Sequence, residues 1–150
     1  MKVVDARFQS CADLRDLFQP VSPNLSALQL SEGPLEGHLR IIHCGFFRLN
    51  VLEINQPLFL SGTRRPKPCT IAIPLSHPPS TDPIRAQGVC MPWAGMIGYN
   101  DQLNDFDLRL PAGTTLATVT IPRDQLLESH NQHRAGRLTL DRWRNTNQLE

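Results

Sequence analysis

His38, His43, His130 and His133 are the imidazoles whose spacing bears on metal chemistry, and Cys44 stands directly beside His43. Strand side chains alternate between faces, so His38 and His43, an odd offset apart, point to opposite sides and do not share a metal. Two histidines of one strand share a metal when they stand on one face, as in H-x-H, and that spacing is absent. His130 and His133 stand at helical i, i+3 spacing, close enough to chelate, but have no acidic or cysteine partner at a matching interval. The expectation is no metal and no cofactor.

Covalent catalysis finds no better footing. There is no G-x-S-x-G elbow, and adjacent strand residues such as His43 and Cys44 point apart rather than pairing as base and nucleophile. Phosphate-cradling glycine loops are absent, and the carboxylates are scattered without pattern. Cys90 lies in QGVCMPWAG, beside glycines and Trp93, and its plainest role is a small apolar residue in a core strand. No catalytic residue is assigned, and the chain is not read as an enzyme.

The elements that carry these residues are mostly strands. Thirteen prolines and nine glycines among 150 residues punctuate the chain at short intervals, which fits an all-β sandwich or barrel better than βαβ units. Ser10 caps a short helix, CADLRDLF, with Leu14, Leu17 and Phe18 on one face, and Pro20 and Pro23 end it. Leu35, Gly37, Leu39, Ile41 and His43 then alternate with Glu36, His38, Arg40 and Ile42, so the first set faces a core. Cys44-Gly45 marks a reversal. In FFRLNVLEIN the apolar parity runs through Phe47, Leu49 and Val51 and switches at Leu52 and Ile54, which predicts a bulge or a strong bend.

PLFLSG, CTIAIPL, FDLRLP and TLATVTIP read as further strands, with PAGT at 111–114 as a turn. SHPPSTDP, residues 76–83, reads as a mobile loop, and Arg64, Arg65 and Lys67 as a solvated hairpin tip. Within RDQLLESHNQH, residues 123–133, a closing helix is predicted near residues 123–131. The predicted organisation is residues 1–24 as helix and lead-in, 25–122 as an antiparallel β-barrel or sandwich, and 123–150 as helix and linker.

Composition excludes several classes. Hydrophobic residues are 40% and charged residues 19%, a folded globular balance, and a net charge of +1 lacks the basic footprint of direct nucleic-acid binding. No apolar run is long enough to span a bilayer and MKVVDARFQS is no signal peptide, so the expectation is a cytoplasmic protein with no membrane partner. Four cysteines without a C-x-x-C pair read as free thiols. What remains is the interior of the β fold. His43 is the polar residue that alternation turns inward, and a buried imidazole needs a partner. His43, Cys90 and Trp93 are the candidate ligand contacts.

The order of motifs resembles the N-terminal sensor domain of AraC-type transcriptional regulators. Gly33, Leu35, Gly37 and Leu39 match its first strand element, Gly45, Leu49 and Asn55 its second, and Pro111, Gly113, Thr114, Val119, Ile121, Pro122 and Leu126 its closing segment. The resemblance spans roughly residues 10–130 and rests on apolar and turn positions. It implies a cupin-like β-barrel, an unknown small-molecule effector, and helices that form a homodimer. DNA would be contacted only through a C-terminal domain with two helix-turn-helix units, which this chain does not contain. Leu126, Leu127 and Trp143 are the candidate dimer contacts, because an apolar set beyond the barrel needs a surface to cover it. Two alternatives stay open, a stand-alone cupin-like binding module and a cupin-type enzyme.

Overall fold

In the computed structural model, residues 2–64, 67–76, 82–91, 95–98 and 104–132 are described. The chain opens on β1 (Lys2–Phe8), a strand the sequence pattern does not predict. Only Phe8 in it is fully buried, so the segment carries little hydrophobic signal of its own. It becomes a strand through its antiparallel ladder with β3, from Lys2 opposite His43 to Phe8 opposite Gly37. Ser10 then caps α1 (Cys11–Phe18): its hydroxyl accepts from Asp13 N–H at 3.1 Å, and the Asp13 carboxylate accepts from Gln9 N–H at 3.1 Å. One orphan donor of the helix is thereby satisfied, and the N–H just before the cap is held as well. Leu14 is completely buried, and Leu17 and Phe18 pack on the same core.

The strands that follow are β2 (Ser26–Gln29), β3 (Gly37–Cys44), β4 (Phe47–Ile54), β5 (Leu58–Thr63) and β6 (Pro68–Pro74). After them come β7 (Arg85–Ala86), β8 (Val89–Cys90), β9 (Met96–Gly98), β10 (Asp105–Leu110) and β11 (Thr115–Pro122), and α2 (Arg123–Gln132) ends the described chain. They form two antiparallel sheets, ordered β1-β3-β4-β11-β6-β9 and β2-β5-β10-β7-β8. The mainly-β, antiparallel architecture with short flanking helices is the one the turn spacing predicts, in the form of two sheets over a shared core. That core joins Phe8, Leu39, Ile41, Leu52, Ile54 and Leu116 of the first sheet to Leu58, Leu60 and Leu110 of the second. Leu14 closes one side.

Turns follow their residues. Gly45 sits at φ +58° in the two-residue β3–β4 connection, and Gln87 and Gly88 hold φ of 54° and 71° between β7 and β8. Two consecutive positive φ values are the type I′ arrangement that matches the twist of a hairpin.

The predicted bulge in FFRLNVLEIN does not form. β4 keeps an unbroken register with β3, from Gly37↔Ile54 to Cys44↔Phe47, and with β11, from Thr115↔Glu53 to Thr120↔Arg48. The buried residues of β4 are Asn50, Leu52 and Ile54, while Phe47, Leu49 and Val51 are half-buried on the opposite face. The apparent change of parity arises because two polar residues, Arg48 and Asn50, occupy inward positions of a continuous strand. Why polar residues stand there is a question about the interior.

Candidate functional site

A cavity of about 270 Å³ lies between the two sheets. Its near wall is the inner face of the first sheet, and strand register explains how that wall is composed. Leu52 and Leu116 stand opposite each other, one step along Asn50 faces Thr118, and one further step Arg48 faces Thr120, which in turn faces Thr70. Moving along the strands, the wall therefore passes from leucines to an amide and hydroxyl, then to a guanidinium and two hydroxyls. Arg48 Nη2 donates to Thr120 Oγ1 at 3.4 Å, and the Thr70 and Thr120 hydroxyls lie 3.3 Å apart. The far wall is mostly apolar: Leu60, Phe106, Leu108 and Ala86 from the second sheet, with Phe18, Val21 and Leu25 from α1 and the segment after it, and Met91, interrupted by Ser22, Thr63, Gln87 and Asp107. Gly62 stands opposite Phe106 in the register, and a Cβ there would meet the Phe106 ring at 2.9 Å, so the glycine leaves room for the ring.

Asn50 is the residue on which the polar side of the wall turns. It is 6% exposed, and its Nδ2 donates to Thr118 Oγ1 at 3.0 Å. Its Oδ1 is buried and has no hydrogen-bond partner among the described residues. An unsatisfied buried acceptor costs about 1–3 kcal/mol, so this position calls for a donor, which a water or a bound molecule can supply.

Charge is unevenly placed around the cavity. Arg48, Arg64 and Asp107 all line it. Burial, and after it the nearby Arg123, holds the Arg64 guanidinium below its ordinary pKa, so this cation is partly desolvated. Arg64 is thus half-buried on the wall, and not part of the solvated hairpin tip its basic neighbours suggested. Cys69, buried under the same cations, is pushed up to about 11 by burial and is an inert thiol at neutral pH.

The predicted contacts fall elsewhere. His43 shares its face with Leu39 and Ile41, but it is the penultimate residue of β3 and is exposed; burial there ends at Ile41. It lines a separate recess with Phe46, Phe47, Arg48 and Thr120, and it is not among the residues lining the larger cavity. Cys90 is exposed on β8, the outermost strand of the second sheet, and neither packs in the core nor lines the cavity. Trp93 and Trp143 lie outside the described residues, as does the side chain of Leu127; Leu126 is half-buried on α2. Neither His133 nor most of the 76–83 loop is among the described residues.

Asn50, Arg48, Thr118, Thr120 and Arg64 are the site residues that sequence reasoning missed. The signal for the first two was present in the switch from Phe47-Leu49-Val51 to Leu52-Ile54, which an unbroken strand turns into inward polar positions. Among the described residues no three His, Cys, Asp or Glu side chains come together as a metal site, and no helix is long and apolar enough to cross a membrane. No protein-family model, no curated protein and no solved structure matches this chain.

Proposed function

We propose that this chain is the ligand-sensing and dimerising portion of an AraC-type transcriptional regulator, acting in the cytoplasm and reaching DNA through a domain outside these residues. The observation that carries the reading is the inter-sheet cavity, whose wall grades from apolar to polar inside a two-sheet fold with the strand and turn motifs described above. A cavity with a mostly apolar lining and a few converging polar groups is the usual form of a small-molecule site.

The same fold offers a route from ligand to partner. α2 packs on β11 and β6, the strands that carry Thr118, Thr120 and Thr70 on their inner face. A ligand on that face touches β11, and α2 continues directly from the end of that strand. If it binds one arrangement of β11 and β6 better than another, it shifts the population of α2 positions by that difference in affinity. Leu126 on α2, with Leu127 and Trp143, is the pairing set in this reading.

The test joins the chain to a DNA-binding domain that grips its operator only as a pair. Operator occupancy is expected to rise with the chain attached and to fall with Trp143→Ala. A single monomeric species in sedimentation at micromolar concentration, together with an unoccupied operator, counts against dimerisation and favours a stand-alone binding module.

A further inference from the structure

Around the cavity the larger sheet is more apolar on its outward side than on the side it turns inward. On β4, Arg48 and Asn50 point in while Leu49 and Val51 point out; on β11, Thr118 and Thr120 point in while Ala117, Val119 and Ile121 point out. Register joins the outward residues into rows. Val3, Ile42, Leu49, Val119 and Ile71 stand side by side across β1, β3, β4, β11 and β6, and the next row sets Val51 beside Ala117 and Ile73. None of them joins the core between the sheets. Val3 and Ile73 are 48% and 38% exposed, and Ile42, Leu49, Val51, Ile71 and Val119 are half-buried. Among the described residues, neither helix packs on β3 or β4 beyond marginal contact. The solvated face of an antiparallel sheet carries polar residues, as the second sheet does where Leu28 and Phe59 give way to Arg109 and Arg85 in one outward row. An apolar face that runs unbroken across five strands marks a contact surface.

We infer that this face docks a second copy of the chain, the two larger sheets stacking face to face about a two-fold axis. Charge, symmetry and size select that partner. The outward charges of these strands, Asp5, Arg7, His38, Arg40 and Glu53, gather at one corner, where Asp5 already pairs with His38 and Arg40, so stacking the apolar rows buries no lone charge. Uniform apolar rows complement themselves, which is what a two-fold contact asks of a surface. A net charge of +1 sets up little repulsion between copies. Strands about 4.8 Å apart make the face roughly 20 Å wide, and a similar length along the strands lets two copies cover an area on the order of 1,000 Å², the size a specific pair needs. The inference goes beyond the reading above, which pairs subunits through Leu126, Leu127 and Trp143, and it does not require the cavity to hold a ligand.

Sedimentation equilibrium of the full chain across micromolar concentrations tests this, with folding of each variant checked by circular dichroism. The wild type is expected to form a dimer. Leu49→Lys, in the middle of the central row, should weaken it about a hundredfold or more, because it places an ammonium between apolar faces, and Ile73→Lys, at the margin, about tenfold. Leu28→Lys, on the outward side of the second sheet, should leave the dimer unchanged. Ile73 already meets solvent, so its variant carries the test should Leu49→Lys not fold. Dissociation by the lysines of the larger sheet, with Trp143→Ala still dimeric, supports the stacked sheets over the C-terminal pairing set. A wild type that stays monomeric overturns the inference and leaves the face to another segment or a foreign protein. A dimer that survives both folded lysine variants overturns it as well; if Trp143→Ala then dissociates that dimer, the C-terminal set is the interface and the reading of the chain as a dimerising portion stands.

Discussion

The ring of Phe8 lies directly over Gly37, its partner in the β1–β3 register. A Cβ built on Gly37 would fall 2.0 Å from Phe8 Cζ and 2.6 Å from both Cε atoms. The glycine is therefore a seat for an aromatic ring that is itself only 2% exposed. Gly37→Ala forces that ring out of a packed core and is expected to destabilise the fold by about 1–3 kcal/mol, read by urea unfolding. Combining it with Phe8→Leu should cost less than the sum of the two, since each change removes part of the same contact.

Asp5 faces His38 and Arg40 across the same pair of strands. It accepts from His38 Nε2 and from Arg40 Nε, the latter at 3.1 Å, and chiefly the hydrogen bond from His38, then that from Arg40, holds its carboxyl below 3.8. A depressed carboxyl stabilises the fold above its unfolded pKa, and that contribution is lost as pH falls through the lower folded value. Carboxyl NMR titration should place Asp5 below 3.8 in the wild type. In His38→Ala the value is expected to move upward, and a titration that stays put would remove the assigned cause.

The thiols should differ sharply in reactivity. Cys90 is exposed and Cys69 is buried, with its pKa at about 11, so thiolate is scarce and out of reach at Cys69. Iodoacetamide at neutral pH, followed by peptide mass mapping, is expected to label Cys90 first and leave Cys69 unmodified until the protein unfolds.

The Ser10 hydroxyl satisfies the Asp13 amide at the head of α1, and Leu14 of that helix is completely buried. Ser10→Ala should lower stability by about 1 kcal/mol, while Ser10→Asp should restore most of it. A thermal melt distinguishes the two.

Local chemistry was legible wherever it acts locally. Ser10, the spacing of Leu14 and Phe18, and the prolines beyond are enough to define α1, and the Phe106-Leu108-Leu110 alternation is enough to define β10. β1 was not legible, because its strand character comes from β3 and not from its own side chains. The site was misread for a related reason. Alternation assigns a face but not a depth, so His43 shares the inner face yet lies at its exposed end. Polar Arg48 and Asn50 inside β4 looked like a break in the pattern, when an unbroken ladder with β11, some sixty-odd residues away, carries them inward. Only the long-range pairing shows that the interior has a polar wall.

That same ladder constrains how the chain comes to fold. β11 is laid between β4 and β6, in the middle of the larger sheet, yet it is the last strand in sequence among the described residues. The β3–β4 hairpin can close as soon as it leaves the ribosome, but β4 and β6 then wait with open edges until residues 115–122 emerge. Closing those contacts spans long loops, which makes the step slow, and each waiting edge is a template for pairing with another chain. Newly made protein is thus most prone to aggregate in the interval before β11 arrives, and a chain cut at Pro111 would remain in that state permanently.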